Sequence, residues 1–392
     1  MSREPDALGM IGQGDHMPAS QQRLNAAIGA ASLNQGCFCI TLDREALSEA
    51  IELEVGGETF RKANVDTRPN LFSNVPVFLP AAAFAEMGQI VGAIEAAAQL
   101  ADFRSAVLGW ASEIAQEDHG PLGAFMGYDF HLDEQGPRLI EVNTNAGGAF
   151  LNALLARAQR ACCSEVAEEF GLGSPDRFDT AVVAMFRNEW HLQRGAEDLR
   201  RIAIVDDLPN EQYLYPEFEL ARHMLIKASI DAVIADPSEL SYADGKLRIG
   251  EKDIDLVYNR LVDFSLERPE HLALRQAYEA GSVVVTPNPH NHALFADKRN
   301  LSLLSNSAQL ASWGLAPEHV DALGGVPLTR LVTPENADEL WSSRKGLFFK
   351  PTSGHGGKAV YRGDKVTKGV WGVIARGGYV AQAFAAPGER MI

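Results

Sequence analysis

The stretch Lys350-Pro351-Thr352-Ser353-Gly354-His355-Gly356-Gly357-Lys358 sets glycines between two lysines. Glycines take positive φ and let a backbone approach an anion closely, so that N–H groups converge on it while a lysine supplies charge. The chemistry this suits is phosphate binding. A Walker A loop is excluded, because it needs Gly-Lys-Ser/Thr and here Ala359 follows Lys358 while Thr352 stands at the leading glycine. Gly354-x-Gly356-x-x-Ala359 fits the relaxed dinucleotide fingerprint in form, yet Val360-Tyr361-Arg362-Gly363-Asp364 reads as a strand running into a turn, where that motif needs a helix. A strand, glycine turn and strand with lysine on the entering strand is what a flap over nucleotide phosphates requires. A plain glycine-rich hairpin is the structural alternative.

Glu141-Val142-Asn143-Thr144-Asn145 is the second constellation. Residues two apart on a strand point the same way, so Glu141 and Asn143 present a carboxylate and an amide oxygen to one side. Hard oxygens of this kind suit magnesium, which takes one or two carboxylates plus phosphates and water. The solvent face of an edge strand would look the same. His290-Asn291-His292 with Asp297 has the donor types of a transition-metal site, but flanking Pro287 and Pro289 favour a turn leading to Lys298.

The elements that must position these groups follow from pattern. The apolar residues between Ala81 and Ala115 recur at helical spacing, and Asp118-His119-Gly120-Pro121 breaks it. Gly127 to Leu132 and Arg138 to Asn143 read as a hairpin about Asp133–Pro137, followed by a helix from Phe150 to Phe170. Arg201–Asp206, Ala232–Ile234, Ile254–Tyr258 and Val283–Val285 read as strands, with a helix over Tyr215–Ala228 and a polar hairpin at Asp244-Gly245, which predicts a small, mostly parallel sheet. A Leu-rich helix is expected from Lys298 to Trp313, then strands at Gly346–Lys350, Ala359–Arg362 and Gly378–Gln382.

At 392 residues the chain exceeds one hydrophobic core, and 46% hydrophobic residues predict that most of it folds. The net charge of −17 repels a polyphosphate backbone, so no nucleic-acid partner is expected. No apolar run is long enough to span a bilayer, and residues 1–18 lack the pattern of a signal peptide. The expectation is a cytoplasmic protein with no membrane partner, whose Cys37, Cys39, Cys162 and Cys163 are reduced thiols.

Taken in order, Glu141-x-Asn143-Thr144 with Gly147-Gly148, Asp255–Arg260, Lys298, Lys350-Pro351 with its glycine turn, and Tyr379–Gln382 resemble a circularly permuted ATP-grasp protein. The order is similar to that of eukaryotic-type glutathione synthetase, and the glycine turn to that of the glutathionylspermidine-synthase-like group. The resemblance covers residues 120 to 390. It implies an α/β (α+β) ATP-grasp fold in permuted order with a small α/β substrate-binding lobe and a glycine-rich lid. It further implies an ATP-dependent carboxylate–amine ligase working through an acyl phosphate, using ATP and Mg2+ on an amino acid, peptide or polyamine. Carried over by position, Glu141 and Asn143 bind the metal. ATP is contacted by Lys298, Lys350, Gly354, His355, Gly356, Gly357 and Lys358, with Gln382, Ala383 and Phe384 as the hinge beside adenine. Lys350 and Arg260 are the catalytic pair, and Gln212, Asn145 and Arg260 face the substrate.

The implied organisation is a loose tail over 1–30, a helical and mixed portion with the metal-binding strand over 31–198, an α/β substrate lobe over 199–297, and a lid with hinge strand over 298–392. The departures from glutathione synthetase are Gly354 in place of a metal-binding carboxylate, Ala146 in place of a substrate-binding serine, and Gly127 in place of an arginine. They point to a different substrate. The family pattern also runs on past the hinge strand, so the chain is expected to be a piece of a longer protein or to complete its site differently. A non-catalytic ATP-binding protein is the second expectation, and an NAD(P)-dependent oxidoreductase the third.

Overall fold

A computed structural model of the chain describes residues 30, 32–36, 40–55, 57–133, 135–161, 176–352 and 359–389. The expected tail up to 29, the four cysteines and the glycine turn Gly354–Lys358 lie outside the described residues.

Helix α1 (Arg44–Val55) repeats Leu47, Ile51 and Val55 at one-turn spacing and buries that stripe. Helix α2 (Ala81–Ala98) buries Ile90, Ala93, Ile94, Ala97 and Ala98. The helical pattern expected to continue to Ala115 breaks at Leu100, whose extended backbone starts a separate helix, Ala101–Leu108. The break lets Phe103 and Val107 join the same core as α2.

Strands β1 (Gly127–Asp133) and β2 (Gly136–Asn143) form the expected antiparallel hairpin, with a bulge between Asp129 and Phe130. Helix α3 (Ala149–Ala158) ends well short of Phe170, because Gln159–Ala161 leaves it to pair as a strand with Ile40–Leu42. Helix α4 (Asp176–Arg194) follows.

The parallel sheet is as expected. It is built from β3 (Arg201–Val205), β4 (Asp231–Ala235), β8 (Leu256–Asn259) and β9 (Val284–Thr286) in the order β9-β8-β3-β4. Helix α5 (Tyr215–Lys227) links β3 to β4, and helix α6 (Leu272–Glu279) precedes β9. Between β4 and β8 lies a small antiparallel meander of β5 (Leu240–Ala243), β6 (Lys246–Ile249) and β7 (Lys252–Asp253). Both faces of the sheet are covered, which is why its strands read as apolar runs. Ile202, Ile204, Leu256 and Tyr258 enter one core with α1, α3, α4 and α5, whereas Ala203, Val205 and Val257 enter another with α6. Strand order reverses between β3 and β8, so a crevice opens beyond their C-terminal ends, the place where sheets of this kind bind ligands.

The single helix expected from Lys298 to Trp313 is two short ones, Asn300–Leu304 and Ser307–Ser312, because Asn306 leaves the helix and its side chain caps the second by accepting the Gln309 N–H. The last region is an antiparallel sheet of β10 (Thr329–Leu331), β11 (Leu347–Pro351), β12 (Tyr361–Arg362) and β13 (Tyr379–Ala383), in the order β10-β13-β11-β12. Phe349, Ala381, Leu340 and Ile374 form its own core.

Two buried carboxylates fix the β1–β2 hairpin to this frame. Glu189 of α4 accepts the N–H groups of Leu122 (3.1 Å) and Gly123 (2.8 Å) and the Thr286 hydroxyl (2.6 Å), just ahead of β1. Glu217 of α5 accepts the N–H groups of Gly148 (2.7 Å) and Phe150 (3.1 Å), just after β2. Each unsatisfied buried donor costs about 1–3 kcal/mol. Glu189→Ala is therefore expected to lower unfolding free energy by about 2–3 kcal/mol, read as a lower urea midpoint at unchanged slope; an unmoved midpoint would contradict this role.

Candidate functional site

Glu141 and Asn143 lie on β2 and both line a cavity of about 440 Å3, together with Asn145, Lys298 and Thr352. The hairpin register places Asp129 of β1 directly opposite Glu141, and Asp129 Oδ2 accepts a hydrogen bond from Asn143 Nδ2 at 3.2 Å. Partial desolvation raises the Asp129 carboxyl above the usual carboxylate range, and the charge and shared hydrogen bond of Glu141 raise it further, against the Asn143 amide and the Lys350 charge. Lys298 Nζ stands 3.7 Å from Glu141 Oε2.

Lys350 comes from β11, and its buried Nζ donates to the Ile140 carbonyl at 2.9 Å. Because alternate residues of a strand face opposite ways, Phe349 enters the lid core while Phe348 and Lys350 face the hairpin. Buried Gln382 of β13, paired with Phe348, donates to the same Ile140 carbonyl at 3.4 Å. Burial pulls the Lys350 ammonium down to about 8; Glu141 and Asp129 oppose the fall and Lys298 adds to it. Ala383 is bound through its N–H to Leu328 O, and the Phe384 ring stacks on Phe348 at 5.5 Å with the Arg362 guanidinium 5.0 Å away.

The structure thus brings Glu141, Asn143, Asn145, Lys298 and the end of β11 to one cavity. Arg260 and Gln212, expected to face the substrate, are placed off its lining. Arg260 Nη1 instead donates to Ala146 O (3.0 Å) and Tyr258 Oη (3.2 Å), and Gln212 donates to Asp207 O at 2.5 Å. The strand that follows the glycine turn, β12, pairs with β11, which removes the helix that a dinucleotide fingerprint needs. Short helical segments, Pro289–Asn291 and His292–Ala296, stand where a turn leading to Lys298 was expected, and the two imidazoles part. His290 meets Ala115 O at 2.7 Å, and His292 stacks on Phe264 at 3.6 Å. Sequence reasoning passed over Asp263, Phe264 and Arg299, which also line the cavity. No motif marks them, although the place of Asp263 and Phe264 just after β8, at the reversal of strand order, is a usable signal.

No group of three or more His, Cys, Asp or Glu suited to a metal occurs among the described residues. The donors present, Glu141, Asn143 and Asp129, are all hard oxygens, and that set fits a magnesium ion that shares substrate phosphates and water. No helix of the described residues is long and apolar enough to cross a membrane.

No family model matches the sequence, and no curated protein matches it. Among solved structures, the chain is similar to a glutathione synthetase-like effector, GSS30, from Globodera pallida in its apo form, with TM-score 0.54 and 14% identity over 89% of this chain and 83% of that one. At that identity the likeness is one of fold: the protein has a mixed α/β fold of the glutathione synthetase-like kind. A proposed gamma-glutamylcysteine synthetase from Methylobacillus flagellatus matches with TM-score 0.42 and 11% identity over 74% of each chain, too distant to bear on this one.

The Lys350 ammonium sets a pH test. An anion bound beside it raises its pKa, so binding above pH of about 8 takes up a proton. Affinity for an anion bound beside Lys350, tested with inorganic phosphate or a nucleotide, is expected to fall by up to tenfold per pH unit above about 8, with proton uptake visible by calorimetry in buffers of different ionisation enthalpy. Lys350→Arg, charged throughout, should flatten both; an unchanged profile in that variant would assign the titration elsewhere. Without ligand the sign for stability is reversed. The unfolded lysine, near 10.5, holds more protons than the folded one, so this group favours folding increasingly as pH rises from about 8 towards 10.5.

Proposed function

We propose that the protein is an ATP-dependent carboxylate–amine ligase of the ATP-grasp type, in circularly permuted order, acting on an amino acid, peptide or polyamine other than the substrates of glutathione synthesis. The observation that carries this reading is the convergence of two lysines from distant segments, Lys298 and Lys350, on the strand bearing Glu141 and Asn143. The fold shared with a glutathione synthetase-like protein supports it.

In this reading a substrate carboxylate oxygen attacks the γ-phosphorus of ATP, the bond to the β-bridging oxygen breaks, and ADP leaves. The acyl phosphate is then attacked by an amine nitrogen, which loses a proton as phosphate departs and the amide forms. Lys298 and Lys350 stabilise charge on the transferring phosphoryl group, and backbone N–H groups of the glycine-rich segment Gly354–Lys358 are proposed to add to this. Mg2+, when bound, neutralises phosphate charge; Glu141, Asn143 and Asp129 would hold it, Asp129 standing in for the carboxylate that Gly354 lacks. Phe384 and Gln382 would lie beside adenine. Arg260 supports the Ala146 carbonyl rather than meeting substrate. Gly127 supports the change of substrate, because a Cβ there would lie 2.6 Å from the Ala146 Cβ, leaving no room for the arginine of the family pattern.

Removing one charge-stabilising contact costs about 10²–10³ in rate. Lys350→Ala and Lys298→Ala are each expected to lose ATP-dependent phosphate release by that factor in a pooled screen of amino acids, polyamines and short peptides, with the protein still folded at the assay temperature. Near-normal release in Lys350→Ala would sink the assignment, and tight ATP binding with no release for any acid and amine would leave a nucleotide-binding protein instead.

A further inference from the structure

His271 stands at the crevice beyond β3 and β8 with no part in the chemistry above, and it is 0% exposed. Its Nδ1 lies 2.8 Å from Asp263 Oδ2 and its Nε2 lies 2.8 Å from Asp207 Oδ1. Each ring nitrogen is thus within hydrogen-bond distance of a carboxyl group, and the two acids belong to different segments. Arg268 repeats the bridge: its N–H donates to Asp263 Oδ2 at 3.0 Å and its Nη1 to Asp207 Oδ2 at 2.7 Å. Asp207 follows β3. Asp263 sits on the loop that leaves β8, and His271 closes that loop where α6 begins.

The bridged loop forms part of the cavity. Val262, Asp263, Phe264, Ser265 and Glu267 all line it. At its start the Leu261 N–H is held by Asn259 Oδ1 (3.0 Å), and the Leu261 carbonyl accepts from Asn145 Nδ2 (3.1 Å), so the loop is tied to the segment that follows the Glu141 strand. In its middle Phe264 lies on the His292 ring at 3.6 Å with 7° between the planes. Burial pulls His292 down to about 4, so it is neutral and stacks without an ionic cost. The lysines proposed to meet phosphate come from other segments. The loop therefore borders the part of the cavity left to the second substrate.

We propose that His271 is a positioning residue, which by bridging Asp207 and Asp263 fixes the 261–271 loop as the wall against which the substrate other than ATP packs. The assignment of that substrate rests on the ligase reading; the bridge and the loop do not. A ring held on both nitrogens cannot rotate or shift without breaking a charged hydrogen bond, and such bonds are about twice as strong as neutral ones. Loss of the bridge frees the wall while the phosphate end keeps its own supports, Lys350 on Ile140 O and Lys298 by Glu141.

His271→Phe keeps a ring of similar size and removes both of its hydrogen bonds; Asp207→Asn keeps the shape and weakens the His271 and Arg268 contacts without removing them. In His271→Phe, amide exchange over 261–268 is expected to rise by about tenfold or more with β3 and β8 still protected. KM for the acid or amine should rise by a similar factor while the ATP dissociation constant stays within about twofold, and Asp207→Asn should move both in the same direction by less. Unchanged loop exchange in a folded variant overturns the proposal, as does an equal rise in KM for ATP and for the other substrate, or a fall in kcat with both KM values unmoved. If His271→Phe fails to fold, the same criteria apply to Asp207→Asn. Absence of ATP turnover in the wild-type protein would sink the ligase reading alone, and loop exchange would then decide the role of His271.

Discussion

The site depends on two carboxylates buried against backbone N–H groups. A two-stranded hairpin is marginal by itself, and among the described residues the strand bearing Glu141 and Asn143 pairs with β1 alone. Glu189 and Glu217 hold the chain immediately before and after it, from helices that pack on the parallel sheet. A buried carboxylate is tolerated only where donors replace water, and each of these has N–H groups that would otherwise be unsatisfied at loop or helix ends. The arrangement transmits the position of the sheet to Glu141 and Asn143. It also explains Gly147, where a Cβ would lie 2.4 Å from Leu214 and 3.0 Å from Arg260 Nη2. The backbone must pass that close for Arg260 to reach the Ala146 carbonyl.

In a chain with a net charge of −17, Lys298 and Arg299 line the cavity among the carboxylates of Glu141, Asp263, Glu267 and Asp297, and Lys350 stands off the lining at the Ile140 carbonyl. Arg299 is engaged by Asp297 across 2.5 to 3.1 Å, and Lys298 stands 3.7 Å from Glu141. Burying Lys350 costs part of its charge, which is why its ammonium is held near 8. The same low dielectric strengthens its attraction to an incoming anion.

Much of this was legible in the sequence because it rests on periodicity. Alternation gave the hairpin and therefore the common face of Glu141 and Asn143, and apolar runs gave the parallel strands. Boundaries were less legible. The stretch after Ala149 could continue as a helix by pattern, but pairing of Gln159–Ala161 with Ile40–Leu42 is a contact between distant residues that no local window contains. Arg260 shows the same limit for a side chain. A cation at a strand end beside the crevice could turn outwards or inwards, and the space left by Gly147 together with the Ala146 carbonyl turns it inwards. The cavity wall at Asp263 and Phe264 had no motif, since its order comes from partners at 207, 271 and 292.

The lid and the hairpin meet at one atom. Ile140 O, between the partners of the hairpin pairing, accepts Lys350 Nζ and Gln382 Nε2 together, using both lone pairs of a single carbonyl. Both donors lie on the face of the lid sheet that turns away from its aromatic core, so the lid's own packing sets their direction. An ammonium has three N–H groups, and one bond to Ile140 leaves two for an anion beside Glu141. Docking the last sheet on the hairpin and presenting a cation to an anion are therefore compatible for the same side chain. This explains why Lys350 is buried and placed where a surface lysine with the same charge would not serve.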